Sequence, residues 1–317
     1  VPLIAAVAHP ISYVQALVLG LLQGVAELFP ISSLGHSVIA PRLLGWDIHQ
    51  NDDYFLTFLV ATHLATALVL LGFFWKDWVR IVRGLVRSIR AREIAPDDVD
   101  ARLGWLLVVG TLPAGVLGLL LEHPLRKVFA SPQSAAAFLI LNGLMLFAAE
   151  ALRKRAAVLV PVGAGRAAVH GERRTIEQEV EAGIEADTRL AERLRWRDSV
   201  AVGAAQAIAL LPGFSRSGAT MGGGLLAGLS NEDAARFAFL LATPVIGAAA
   251  LLKLPDLAGS QGDGVRGPAL VGALGAGLTA WLAVRFLMRF FETNRLTPFA
   301  VYCVVAGAAA SIAIAVT

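Results

Sequence analysis

The chain has 317 residues, 56% hydrophobic and only 16% charged, with a mean hydropathy of +0.67. Soluble chains carry charge on about a quarter of their residues, so a soluble enzyme is excluded and an all-α polytopic membrane protein is expected. The net charge of +3 is modest and leads us to expect no nucleic-acid partner; the placement of basic residues matters more than their number. The single cysteine, Cys303, cannot close an intrachain disulfide and argues against a cysteine-ligated metal. No basic segment followed by a cleavable apolar core opens the sequence, so no signal peptide is expected. Alternating strand-like segments with hairpin signals are missing too, which disfavours a β-barrel.

The first apolar run, 11–29, stops at Pro30, and the next, 34–44, is too short to cross a hydrocarbon core that takes about 20 helical residues. Two short apolar helices joined by a Pro/Ser/Gly turn read as a re-entrant pair, since irregular backbone at membrane depth survives only where protein or a cavity surrounds it. Three runs of spanning length follow, at 55–75, 103–121 and 135–152. The pattern then repeats: 199–211 stops at Pro212, 218–229 makes a second short arm, and spans are expected at 235–254, 268–290 and 298–316. Three spans per copy is an odd number, so the second copy lies inverted, and the tips of the broken pairs are expected to converge near mid-membrane. This divides the chain into a first repeat, 1–152, a hydrophilic insertion, 153–198, and a second repeat, 199–317.

Orientation follows from the basic connections. Residues 76–102 are read as a loop carrying Lys76, Arg80, Arg83, Arg87, Arg90, Arg92 and Arg102, and Arg153, Lys154 and Arg155 open the insertion on the same side. That side is expected to be cytoplasmic, with both termini outside. The insertion mixes charges of both signs at helical spacing and reads as a solvated cytoplasmic helix.

Two stretches carry the chemistry. Arg216 lies between Ser215 and Ser217, after Pro212-Gly213 and before Thr220. A guanidinium offers a planar fork of donors suited to phosphate, and the helix arm starting there adds its positive end. In the first tip, Glu27 follows Gln23 by four residues, which puts both on one helical face. A carboxylate and an amide oxygen suit Mg²⁺ or Ca²⁺; the plainer readings are an interhelical hydrogen bond for Gln23 and a structural partner of Arg216 for Glu27. Ser32 and Ser33 follow Pro30, and His36 lies three residues after Ser33. An imidazole beside a hydroxyl makes Ser33 a candidate nucleophile and His36 a candidate acid or base. His63, alone in an apolar run, is left out of the site.

At these residues the sequence resembles the bacterial undecaprenyl-diphosphate phosphatases, the bacitracin-resistance family. Gln23-x-x-x-Glu27 with Pro30-x-Ser32-Ser33-x-Gly35-His36 is similar to the first family signature, and Pro212-Gly-x-Ser215-Arg216-Ser217-Gly-x-Thr220 to the second. Segments at Phe73–Asp77, Phe237–Pro244 and Leu296–Tyr302 also resemble the family. The resemblance implies an integral membrane phosphatase that removes the terminal phosphate of a C55 polyprenyl diphosphate, recycling a lipid carrier for cell-wall synthesis. It also implies an outward-opening site in the plasma membrane and dependence on a divalent metal. Residue by residue, it gives Glu27, Ser33 and His36 catalytic roles, Glu27 and Gln23 the metal, and Arg216, Ser215, Ser217, Thr220 and Ser32 the diphosphate. Gln23 stands where many members have Glu, and the 153–198 insertion is longer than the family's usual loop. Whether Ser33, His36 or water attacks phosphorus is open, as is the oligomeric state, a homodimer included. The rival reading is a transporter or flippase for an anionic lipid or small anion, which broken helices in an inverted repeat also fit; a nucleophile-and-base pair is what such a protein does not need.

Overall fold

The structure, a computed structural model, describes residues 11–48, 53–129, 131–159, 176–259 and 263–316. Residues 1–10 and 160–175, the latter inside the predicted insertion, lie outside the described residues. The described part is all-helical: α1 (Tyr13–Leu28), α2 (Ser33–Leu43), α3 (Asp53–Phe73), α4 (Trp75–Ala91), α5 (Val99–Phe129), α6 (Pro132–Leu159), α7 (Ile176–Arg193), α8 (Trp196–Ala205), α9 (Arg216–Leu226), α10 (Asn231–Ala258), α11 (Arg266–Thr293) and α12 (Thr297–Val316). A short 3-10 turn, Gln206–Leu210, continues α8. Among the described residues six helices are long and apolar enough to cross a membrane: α3, α5, α6, α10, α11 and α12. These are the six spans the hydropathy pattern predicts.

Both predicted breaks occur where proline demands them. The residue before a proline is driven out of the helical region. Phe29 accordingly sits at ψ 143° before Pro30, and Leu211 at ψ 120° before Pro212. Each second arm then restarts on a serine cap, Ser32 for α2 and Ser215 for α9. The first broken pair packs on a span from the far half of the chain, α1 against α11, and the second reciprocates, α8 against α5. Between them α3 packs on α10 and α6 on α12. Glycine makes the α1–α11 approach possible: a Cβ on Gly20 or Gly24 would run into the α11 backbone at Gly272 or Ala276.

Two segments differ from the sequence reading. The basic stretch 76–102 is mostly helix, because Val79, Val82, Val86 and Ile89 repeat at helical spacing among its arginines. The α7 part of the insertion is not simply solvated: Ala186, Asp187, Leu190 and Ala191 are buried. Asp187 explains the docking. It accepts from Arg80 on α4 at 2.6 Å and from Arg236 on α10 at 2.9 Å, while Asp77 pairs with both arginines at 2.7 and 3.1 Å. Arg236, itself 6% exposed, also lies over the Phe74 ring. Arg189 forks onto Asp233, and Arg102 donates to the Ala191 and Leu194 carbonyls at the end of α7, where a cation is favoured. Nearby, the Arg87 hydrogen bond holds the Asp98 carboxyl below the usual carboxylate range. That tether is therefore present at neutral pH and is lost as pH falls through the lowered value.

Removing one partner from a buried ion pair strands the others. Asp187→Ala is expected to lower stability by about 3 kcal/mol, read as a fall in the thermal unfolding midpoint in detergent. Glu181→Ala, at an exposed position of the same helix, should leave the midpoint in place.

Candidate active site

The two restarting helices are built alike. Ser32-x-x-Gly35 and Ser215-x-x-Gly218 each place a serine cap whose Oγ accepts the glycine N–H at 3.1 Å. Ser33 and Arg216 therefore occupy the same first position of their respective arms. Ser32 holds φ 70°, a left-handed conformation costing a non-glycine residue about 1–2 kcal/mol, and so turns the chain sharply enough to present Ser33. The tips touch. A Cβ on Gly35 would fall 2.8 Å from Gly213 Cα, and Gly213 itself, at φ 115°, lies against α6 at Ala135 and Phe138.

A break at proline leaves carbonyls at the end of α1 without helical donors, and hydrocarbon supplies none. The second tip and α6 supply them, beside the local Ile31 N–H, which donates to the Phe29 carbonyl at 2.7 Å. Ser217 Oγ donates to the Phe29 carbonyl at 3.0 Å and Ser215 Oγ at 3.4 Å. Asn142 on α6, fully buried, donates to the Pro30 carbonyl at 2.9 Å and accepts from the Ser215 N–H at 3.0 Å. One amide thus ties both tips to a span. Asn142 went unremarked in the sequence because a single amide in an apolar run has no local signature.

Glu27 is the centre of the site. Its Oε1 is paired with the Arg216 guanidinium. Its Oε2 accepts from Ser33 Oγ at 2.5 Å and from Gln23 Nε2 at 2.9 Å. The carboxylate side chain is only 4% exposed, Arg216 is 21% exposed, and Ser33 and His36 are partly open. Gly24 on α1 meets Ala276 and Thr279 in the middle of α11, so Glu27, about one turn further on, lies near mid-depth. Two helix starts, α2 and α9, point their positive ends at this place, which suits an anion.

Of the predicted residues, the structure brings Gln23, Glu27, Ser33 and Arg216 into direct contact. His36 is nearby but turned aside. Its Nδ1 faces the Ser32 carbonyl at 2.7 Å and must carry the proton, because a carbonyl only accepts; Nε2 then accepts from the Tyr302 hydroxyl at 2.8 Å. The group on Ser33 is Glu27, not the imidazole. The other predicted anion ligands are engaged with backbone: Ser32 Oγ on Gly35, Ser215 and Ser217 on Phe29, and Thr220 Oγ1 on the Arg216 carbonyl at 2.8 Å.

His63, set aside in the sequence, belongs here. Its Nδ1 faces the Leu59 carbonyl at 2.7 Å, leaving Nε2 to face Gln23 Nε2 at 3.2 Å and Glu27 Oε2 at 3.4 Å. Gln23 must point its amide nitrogen toward the carboxylate, so its Oε1 is left buried with no donor opposite. With its nitrogen on the carboxylate, Gln23 turns Oε1 away from Glu27, so a hard cation shared by the two residues requires the amide to turn over. Among the described residues no group of three His, Cys, Asp or Glu forms a complete cage, so further ligands would come from substrate phosphate or water.

The chain matches the model of the family described as bacitracin resistance protein BacA over residues 16–309. Undecaprenyl-diphosphatase from Mycolicibacterium paratuberculosis is 50% identical over 307 residues, covering 94% of this chain and 96% of that protein. Undecaprenyl-diphosphatase 2 from Frankia alni is 45% identical over 345 residues, covering 97% and 99%. The similarity extends to Undecaprenyl-diphosphatase from Granulibacter bethesdensis, 43% identical over 298 residues, with 93% and 94% covered. Broken helices meeting on a Glu–Arg–Ser cluster, six apolar spans and these matches lead to one conclusion: the chain belongs to the bacitracin resistance protein BacA family.

Proposed function

We infer that this chain is an undecaprenyl-diphosphate phosphatase of a bacterial membrane, releasing inorganic phosphate and leaving undecaprenyl phosphate. The family and the relatives' names support the substrate. The observation that carries the chemistry is the Ser33 hydroxyl donating to Glu27 beside the Arg216 guanidinium.

The terminal phosphate competes with Glu27 for Arg216, and drawing the guanidinium onto phosphate oxygens frees Glu27 to act as a base. Ser33 Oγ attacks the terminal phosphorus and its proton passes to Glu27. The bond to the bridging oxygen breaks, and undecaprenyl phosphate leaves. Water then attacks the phosphoserine and gives a proton to His36 Nε2, which must first leave the Tyr302 hydroxyl and afterwards returns that proton to solvent, while Ser33 Oγ recovers its own proton from Glu27 as phosphate departs. Arg216 and the two helix starts stabilise charge on the equatorial oxygens, which is most of what phosphoryl transfer asks of a protein. A nucleophile resting on its base favours hydrolysis over the transport reading. In this account Ser215, Ser217, Thr220 and Ser32 hold the tips in shape, and Arg216 binds the diphosphate.

The reading includes a divalent cation, Mg²⁺ or Ca²⁺, which Glu27 and, once its amide turns over, Gln23 Oε1 would hold together with diphosphate oxygens. When bound, it would neutralise charge on the diphosphate. His63 orients Gln23 and Glu27 for both tasks.

The reading also includes an inverted repeat of 1–152 and 199–317, each half a re-entrant pair plus three spans. Reciprocal packing of α1 on α11 and α8 on α5, with α3 on α10 and α6 on α12, supports a pseudo-twofold relation. The basic ends carrying α4 and α7 face the cytoplasm of the inner membrane, and the site opens to the opposite, periplasmic face.

Ser33→Ala and Arg216→Ala should each lower phosphate release from undecaprenyl diphosphate about a hundredfold to a thousandfold, and Glu27→Gln by a similar factor; unchanged turnover in Ser33→Ala would defeat the assigned nucleophile. Chelation should abolish release, with Mg²⁺ or Ca²⁺ restoring it, whereas full activity in metal-free protein would leave Glu27 acting by charge and proton transfer alone. A cysteine placed in α7 should resist impermeant thiol reagents applied from outside the cell and react once the membrane is opened; labelling from outside would reverse the orientation.

A further inference from the structure

Helix α4 presents three different faces. Ile81, Gly84 and Ser88 are buried against the start of α5. Gly84 lies against Asp100 and Ala101, Leu85 against Gly104, and Trp105 Nε1 donates to Ser88 Oγ at 2.9 Å. Residues 80–88, about 12 Å of helix, thus meet the first two turns of α5 and the residue before it, Arg80 reaching Asp100 and Arg87 reaching Asp98. Helix α4 follows the span α3 after a single residue, Phe74, and packs on the start of the span α5, which puts it at the ends of both spans, where the membrane surface lies.

The second face is an exposed apolar stripe. Trp75, Val82, Val86 and Ile89 are 58%, 50%, 40% and 60% exposed, and their spacing of seven, four and three puts them on one line. Beside that stripe runs a row of cations, Lys76, Arg83 and Arg90, all exposed and seven residues apart, about 10.5 Å per step. These three have no acidic partner among the described residues, whereas Arg80 and Arg87 on the same helix are paired. The helix therefore separates the cations used internally from a row left free.

We propose that α4 is an interfacial helix that docks on anionic phospholipid in the leaflet where α3 ends and α5 begins. Trp75, Val82, Val86 and Ile89 sink to the upper acyl chains, and Lys76, Arg83 and Arg90 bind phosphodiester headgroups. The occupant follows from the layout: a stripe fixed at the bilayer surface by spans at both ends meets lipid, and a free row of cations selects lipid that carries net negative charge. Through Asp77 and Arg80 the same helix grips α7 and α10, so the headgroup layer steadies the ion-pair clamp on that side of the protein.

The full chain reconstituted in phosphatidylcholine nanodiscs, with or without phosphatidylglycerol, tests this. A nitroxide attached through Val86→Cys, in a Cys303→Ala background, should be relaxed by oxygen and shielded from an aqueous nickel complex. Native mass spectrometry should show phosphatidylglycerol retained in preference to phosphatidylcholine. The triple variant Lys76→Gln, Arg83→Gln, Arg90→Gln should lose that preference while releasing phosphate at the wild-type rate in pure phosphatidylcholine. A water-exposed label at position 86, or an undiminished preference in the triple variant, overturns the proposal.

Discussion

The contact on which the molecule turns is the ion pair between Glu27 and Arg216, 189 positions apart in sequence. Either charge alone at mid-membrane is costly, on the order of 3 kcal/mol on insertion scales and more by other measures. Each is tolerable only because the other half of the chain delivers its partner to the same place. The pairing also sets the state of the site: a carboxylate neutralised by a guanidinium is a poor base until an anion draws the guanidinium away. In the proposed mechanism this stabilising contact doubles as a latch that the substrate's own charge releases.

Holding that pair in place explains much of the surrounding backbone. Two prolines break two helices, and the stranded carbonyls of the first are met by hydroxyls of the second and by Asn142. Glycines at 35 and 213 let the tips touch, and a strained Ser32 aims Ser33 at Glu27. Polar groups of the tips thus divide into those that satisfy backbone and those left for chemistry.

How much of this the sequence disclosed follows from the range of each signal. Proline after an apolar run, followed by serine and glycine, is a local pattern, and both broken pairs and all six spans were legible from it. Glu27 and Arg216 stood out because intramembrane charge has few bland explanations, and Ser33 because His36 lies three residues on; the structure brings Glu27 into contact with both Ser33 and Arg216. The partner of Ser33 was not: His36 is closer in sequence, but the α2 geometry turns its ring to Tyr302 and leaves Glu27 on the hydroxyl. His63 and Asn142 reach the site only through the packing of α3 and α6, which no short motif encodes. In α4 and α7 the arginines and glutamates masked apolar residues at helical spacing. Charge dominated the reading, although Leu190 and Ile81 are fully buried.

The most direct measurement of the central claim is an experimental structure with a short-chain prenyl methylenediphosphonate, which cannot be hydrolysed. The account predicts the terminal phosphonate between Ser33 and Arg216, with the guanidinium moved from Glu27 onto the anion. An analogue bound elsewhere, or bound with the Glu27–Arg216 pair still closed, would contradict it.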